Sequence, residues 1–271
     1  MGEEHGKHIP TELEIEILQH IADEEEGDRS RWLALINCAL VCKAWTRHVR
    51  SHLYYAIDMN NIMGLRQFEC LREYTHLRPF LREFTWRRVR SLLLFFFKAS
   101  DADAIKNLAT TVTKLIFSKA DYQSLTPPLR EAISTFANIT ELDMTGSTFQ
   151  GWNTVVRFIS SFAFLAILAM PRIVTFQDDG PEISYPPPTR LVHIKLAPGC
   201  EKETVDWIRK GSQIPNIQTV EAASGIDSNV LAELLRSLGG DLRHLIIRID
   251  SCRAFHIWGS RRQKLTFNRE P

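Results

Sequence analysis

The chain is poor in the features that announce secretion, membranes or nucleic acid. Its five cysteines, at 38, 42, 70, 200 and 252, are odd in number and scattered. That pattern suits free thiols in a reducing compartment and argues against a disulfide framework. Lys and Arg total 33 against 32 Asp and Glu, a net charge of +1. No global field therefore draws the chain to nucleic acid or to acidic lipid. Long apolar runs are missing too. Leu92 to Phe97 and Phe158 to Met170 both stop short of the roughly 18 residues a spanning helix needs. The opening MGEEHGKH is polar, without the apolar centre of a signal peptide. Gly2 is followed by Gly6 where a myristoylation signal has Ser or Thr. These absences predict a soluble protein, cytoplasmic and/or nuclear.

Catalytic constellations are equally scarce. The sequence has no Gly-rich phosphate loop, Gly-x-Ser-x-Gly elbow, His-Glu-x-x-His or Cys-x-x-Cys. Cys38 and Cys42 lie one helical turn apart, as do His48 and His52. Structural zinc wants four converging ligands, and Cys42 reads as a small buried packing residue, so no metal is expected. Asp101/Asp103 and Asp178/Asp179 read as solvated acidic turns. Trp86 with Arg87, Arg88 and Arg90 is the one basic-aromatic cluster; on a neutral chain it reads as a solvated strand end rather than a nucleic-acid patch. The expectation is a non-enzyme without cofactor.

What is present begins at Ile9. With 271 residues and 44% hydrophobic content, the chain can bury a sizeable core. Pro10, then Thr11 with Glu14 three residues on, predicts a helix start with a capping box. Leu13, Ile17 and Ile21, with Leu18 beside them, form its apolar stripe. Gly27 turns an acidic loop. A second helical run is expected from Ser30 through Trp32, Leu33, Ile36, Leu40 and Val41 to Trp45. Helices this small cannot bury their apolar faces on one another alone, so a partner is implied.

The order Ile9-Pro10, Glu12-Leu13, Ile17-Leu18, acidic loop, Leu40-Val41-Cys42-Lys43-Ala44-Trp45 and Leu53-Tyr54 resembles an F-box, particularly that of fungal F-box proteins. Ile9 stands for the family's usual Leu and Lys43 for its usual Arg. The resemblance implies docking on a Skp-type adaptor and, through it, a cullin. The residues it assigns to that surface are Ile9, Pro10, Leu13, Ile17, Leu18, Leu40, Val41, Cys42 and Trp45. Some of these support the motif's own core, and sequence does not separate the two roles.

After a connecting helix at about Met63 to Tyr74, the chain repeats. Apolar residues at i, i+3 and i+5 recur at Leu81/Phe84/Trp86, Val112/Leu115/Phe117, Ile139/Leu142/Met144 and Leu165/Leu168/Met170. They return at Leu191/Ile194/Leu196, Ile217/Val220/Ala222 and Leu242/Leu245/Ile247. From the second triplet the starts lie 27, 26, 26, 26 and 25 residues apart. Each triplet predicts a short strand with i+3 and i+5 facing the core. Helices are expected at Pro128–Phe136, Trp152–Phe162, Thr204–Ile214 and Asn229–Leu238, and an extended proline-rich loop between Thr175 and Arg190. The period resembles that of leucine-rich repeats over about Leu81 to Asp250. The family's Asn or Cys is absent, its places being held by Ala120, Ser147, Ile173, Gly199, Gly225 and Asp250.

Together these give an expected α/β solenoid: a small all-α N-terminal F-box followed by an irregular leucine-rich-repeat array of about 26 residues per repeat. The divisions are a disordered 1–8, an F-box over 9–58, a linker helix over 59–80, the array over 81–250 and an irregular tail over 251–271. The function implied is the substrate receptor of an SCF-type cullin–RING ubiquitin ligase, with the array holding an unknown protein target. Candidate target contacts are the outward strand residues Glu83, Thr85, Arg87, Lys114, Glu141, Asp143, His193, Lys195, Glu221, His244 and Arg248. The alternative is a repeat scaffold that binds partners without a ligase role. A hydrolase or transferase has no constellation behind it.

Overall fold

The computed structural model describes residues 10–23, 28–87, 99–171, 185–211, 214–223, 225–249 and 263–268. Ile9, the polar N-terminus, Arg88, Arg90, Leu92–Phe97, Asp178/Asp179, most of the proline-rich loop, Cys252 and the start of the tail lie outside those residues. The chain divides into two compact units, Met1–Glu83 and Phe84–Pro271.

The first unit runs α1 (Thr11–Asp23), α2 (Asp28–Ala39), α3 (Lys43–Leu53), β1 (Ala56–Asp58), α4 (Ile62–Glu73) and a 3-10 turn (Thr75–Phe80). Leu18 from α1, Leu35 from α2, and Trp45, Val49 and Leu53 from α3 make the buried core of its first three helices, with Ile21, Trp32, Ile36 and Tyr54 packed around them. Full burial of such a side chain contributes about 1.5–3 kcal/mol, so this small cluster is what holds the three helices together. Helix α1 starts differently from the expected capping box. The Glu14 N–H donates to the Pro10 carbonyl at 3.2 Å, which puts Pro10 at the cap and Thr11 inside the helix. The expected continuous helix from Ser30 to Trp45 is broken as well. Leu40 and Val41 N–H groups donate to Asn37 and Cys38 carbonyls at 3.1 Å each, closing a tight turn. Cys42 is then extended at φ −161°, ψ 170° and opens α3. A helical stripe cannot continue through that turn, so Leu40 and Val41 leave the packed face.

The second unit alternates strands and helices: β2 (Glu83–Arg87), α5 (Ala99–Lys106), β3 (Lys114–Ser118), α6 (Pro127–Ser134), β4 (Glu141–Asp143), α7 (Trp152–Ser160) and β5 (Ile167–Ala169). It continues with β6 (His193–Leu196), α8 (Glu201–Lys210), β7 (Thr219–Ala222), α9 (Ser228–Leu238), β8 (His244–Ile249) and β9 (Gln263–Asn268). Strands β2 to β9 lie in the sheet in chain order. Pairing is parallel from β3 to β8, and β9 is antiparallel to β8. Lys114 faces Glu141, Glu141 faces Ile167, Ile167 faces His193, His193 faces Thr219 and Thr219 faces His244. The ladder therefore steps by the intervals of the apolar triplets. In the units from Val112 to Ala222 all three triplet residues are buried, the two strand positions being two apart and so on one face. Helices close the other side of that core, as α7 does with Val155, Val156, Phe158 and Ile159. Under β3, Tyr122 stacks on Phe149 with centroids 4.9 Å apart, and Phe158 stands 5.1 Å from Tyr122.

The expected fold class is overturned. The strands form a parallel sheet interleaved with α-helices, an α/β arrangement, not a small all-α module followed by a leucine-rich-repeat solenoid. Strand β1 falls inside the span given to an all-α module, and β9 inside a tail expected to be irregular. The physical reason is that a 26-residue interval measures a strand, a crossover and two connections. Any parallel βα unit of that size shows it, because parallel strands require a crossover of a dozen or more residues. The interval located the strands without fixing the family.

Helix α4 begins where Asn61 Oδ1 accepts the Gly64 N–H at 2.6 Å. A Cβ added at Gly64 would lie 1.8 Å from the Asp58 carbonyl oxygen. Gly64→Ala is therefore expected to destabilise the first unit by about 1–3 kcal/mol, as overpacking does. A urea melt followed by far-UV circular dichroism checks this; an unchanged midpoint would contradict the close approach.

Candidate binding surfaces

The helical unit separates the nine residues of the expected adaptor surface into two groups. Leu18 and Trp45 are core. Pro10, Leu13, Ile17, Leu40, Val41 and Cys42 are exposed, with Leu40 at 79% and Val41 at 66%. Ile9 lies outside the described residues. Cys42, expected to be a buried packing residue, is exposed because it sits at the extended N-cap of α3. Ile15 and Leu33 are also exposed; sequence reasoning missed them because each lies off the stripe or was assigned to it. On α1 the residues four apart, Leu13 and Ile17, share a side, and Leu18 turns inward. An apolar set this large on a small helical unit leaves surface whose removal from water would favour association.

The second surface is the sheet face opposite the core. Register places Lys114, Glu141, Ile167, His193, Thr219 and His244 in one row. Ile116, Asp143, Ala169, Lys195, Glu221 and Ile246 form the next. Lys114 Nζ lies 3.4 Å from Glu141 Oε1. Glu221 is the centre of a denser group. Its carboxylate pairs with Arg248 Nε and lies 3.8 Å from both Lys195 Nζ and His193 Nε2. The Glu221 side chain is only 9% exposed, so its charge is carried by these neighbours. Burying a carboxylate without such partners would be costly.

The chain has no matching family model and no matching curated protein.

Of the eleven expected target contacts, Lys114, Glu141, Asp143, His193 and Lys195 are half-buried on this face, and His244 and Arg248 are exposed. Glu221 is buried and acts as the counter-ion of its neighbours, not as an open contact. Thr85 is also buried, at 3% exposure, so it is not an open contact. Glu83 is half-buried, and nothing is described of the Arg87 side chain. The basic-aromatic cluster loses its aromatic member, since Trp86 is fully buried. Asp101 lies in the first turn of α5 and is buried, rather than sitting in a solvated loop. Among the described residues, no three His, Cys, Asp or Glu side chains converge as metal ligands, and no helix is long and apolar enough to cross a membrane.

One group on the sheet face and one buried cysteine have displaced acidities. Burial, with Lys195 adding to it, holds His193 below its ordinary 6.5, against the opposing pull of Glu221 and Glu141. In the opposite sense, burial pushes the Cys200 thiol up to about 12; its Sγ donates to the Pro171 carbonyl at 3.1 Å.

For His193 the unfolded chain takes up a proton before the folded chain does. The stability it contributes is present above pH 6.5 and is lost as pH falls below that value toward the depressed folded one. His193→Gln is expected to flatten the fall in Tm between pH 7 and pH 5, measured by calorimetry against wild type; parallel curves would remove His193 as a source. Among the described cysteines, Cys42 is expected to react first with an aromatic disulfide reagent and Cys200 only on unfolding, followed by peptide mass mapping.

Proposed function

We propose that the chain is the substrate-receptor subunit of an SCF-type cullin–RING ubiquitin ligase. Its N-terminal helices dock on a Skp-type adaptor, and the outer face of its sheet holds a protein target. The observation that carries the reading is the exposed pair Leu40–Val41, fixed on a hydrogen-bonded turn beside α3. With Leu13 and Ile17 it gives the helical unit four large apolar side chains exposed outside its core. These residues belong to the ordered string that resembles an F-box, and the exposed ones are free to meet an adaptor. In this role the chain supplies no reacting group; its contribution is to hold the target near the transfer machinery.

A second reading is a scaffold that binds the adaptor, or another partner, without a ligase role. The paired charges of the sheet face favour a binding surface in either case.

A pull-down with a purified Skp-type adaptor, and then with adaptor plus cullin, tests both readings. Leu40→Asp/Val41→Asp is expected to weaken adaptor capture at least about tenfold, since these exposed side chains would sit at the contact centre. Circular dichroism should show the variant folded, because neither residue is in the core. Failure of folded wild-type chain to bind any adaptor overturns the ligase reading; adaptor capture that excludes the cullin moves it to the scaffold.

A further inference from the structure

The outer sheet face is electrically divided, and the division falls at β5. Over β3 and β4 stand Lys114, Glu141 and Asp143, one positive and two negative groups. Over β6 to β8 stand Lys195, Arg248 and Glu221, two positive and one negative. Between the halves, register puts Ala169 in line with Asp143 on one side and Lys195 on the other. Ala169 is only 3% exposed, so the centre of the face is low between longer charged neighbours. Glu221 anchors the positive half by holding Lys195 and Arg248 around one carboxylate. The Arg248 side chain nevertheless remains 50% exposed and that of Lys195 35%.

We propose that this face binds an extended segment of a target protein that carries an acidic side chain over Lys195 and Arg248 and a basic side chain over Asp143, its backbone crossing the low row at Ala169. The proposal rests on the reading of this face as the target surface and adds the chemistry of what it takes. Neighbouring strands are about 4.8 Å apart, so β4 and β6 are separated by about 10 Å. An extended chain advances about 3.4 Å per residue and turns only every second side chain to one face, which sets the acidic and basic residues about two or four positions apart. A polyanion such as nucleic acid would meet Glu141 and Asp143 at the other half. A second copy of this chain would present the same low centre, and two recesses do not fill each other. A protruding, charge-paired segment satisfies both constraints.

The full chain, immobilised at about 50 mM salt to keep surface charges visible, is panned against a phage library of random twelve-residue peptides. The expected result is enrichment of peptides with an acidic and a basic residue two or four positions apart. Asp143→Asn should remove the preference for the base, and Lys195→Gln, which leaves Arg248 on Glu221, should weaken the preference for the acid. Each should raise the Kd of the best peptide by up to about fivefold, the scale of one exposed ion pair. Recovered peptides without this pairing, a pairing unchanged in both variants, or no peptide recovered by folded chain would each overturn the proposal. So would a dimer in light scattering that either variant dissolves, because the face would then belong to a second copy. The adaptor pull-down separates the two ideas: charge-paired peptides without adaptor binding sink the ligase reading alone, and adaptor binding without them sinks this one alone.

Discussion

The parallel ladder from β3 to β8 is the constraint on which the second unit depends. Parallel pairing fixes register, and register with a side-chain period of two decides what each strand residue faces. A slip of one residue would send Leu142, Leu168, Ile194 and Val220 to the charged face and bring Glu141, His193 and Lys195 onto the core. Both surfaces would fail together. The same register lets Glu221 find Lys195 and His193 on the preceding strand and Arg248 on the following one. A buried carboxylate is tolerable there only because the ladder delivers its partners. Core and charge network are two outcomes of one alignment.

The first unit obeys a different economy. Its three N-terminal helices share one small cluster, and each gives it only a few side chains. Trp45 is a member of that cluster; Leu40 and Val41, a few residues earlier in the chain, lie outside it and exposed. The break at Leu40–Val41 is what separates them. Had the helix continued as periodicity suggested, both would have joined the stripe of Trp32 and Ile36. The turn reassigns two large apolar residues from folding to the surface.

Much of the second unit was legible in the sequence, because burial there follows a strict local pattern. The triplets mark the strands, and the helical runs at 127–134, 152–160, 201–210 and 228–238 lie within a few residues of expectation. Asp227 and Gly239 bound the last of them, Asp227 by accepting the Asn229 N–H and Gly239 by its positive φ. Family and class were not legible, since spacing records the length of a βα unit and not its lineage. Outward residues were named by alternation alone, which placed Lys114, Asp143 and Lys195 well. It did not reveal that Thr85 is buried or that Glu221 is covered by its own counter-ions. The cover over Glu221 has no signal in the local sequence, because Lys195 and Arg248 come from neighbouring strands. In the helical unit the same residue string held core and surface members, and only tertiary packing told Trp45 from Val41.

Because strands follow chain order, the parallel pairs from β3 to β8 join residues no more than 27 positions apart in a chain of 271. Loop closure for each pair is correspondingly cheap, since its entropy grows only slowly with length. Each βα unit leaving the ribosome meets a finished edge on which to form, so the sheet can grow from its N-terminal side during synthesis. Low contact order of this kind is associated with rapid folding. A sheet that looks non-local in three dimensions is, along the chain, assembled from neighbours.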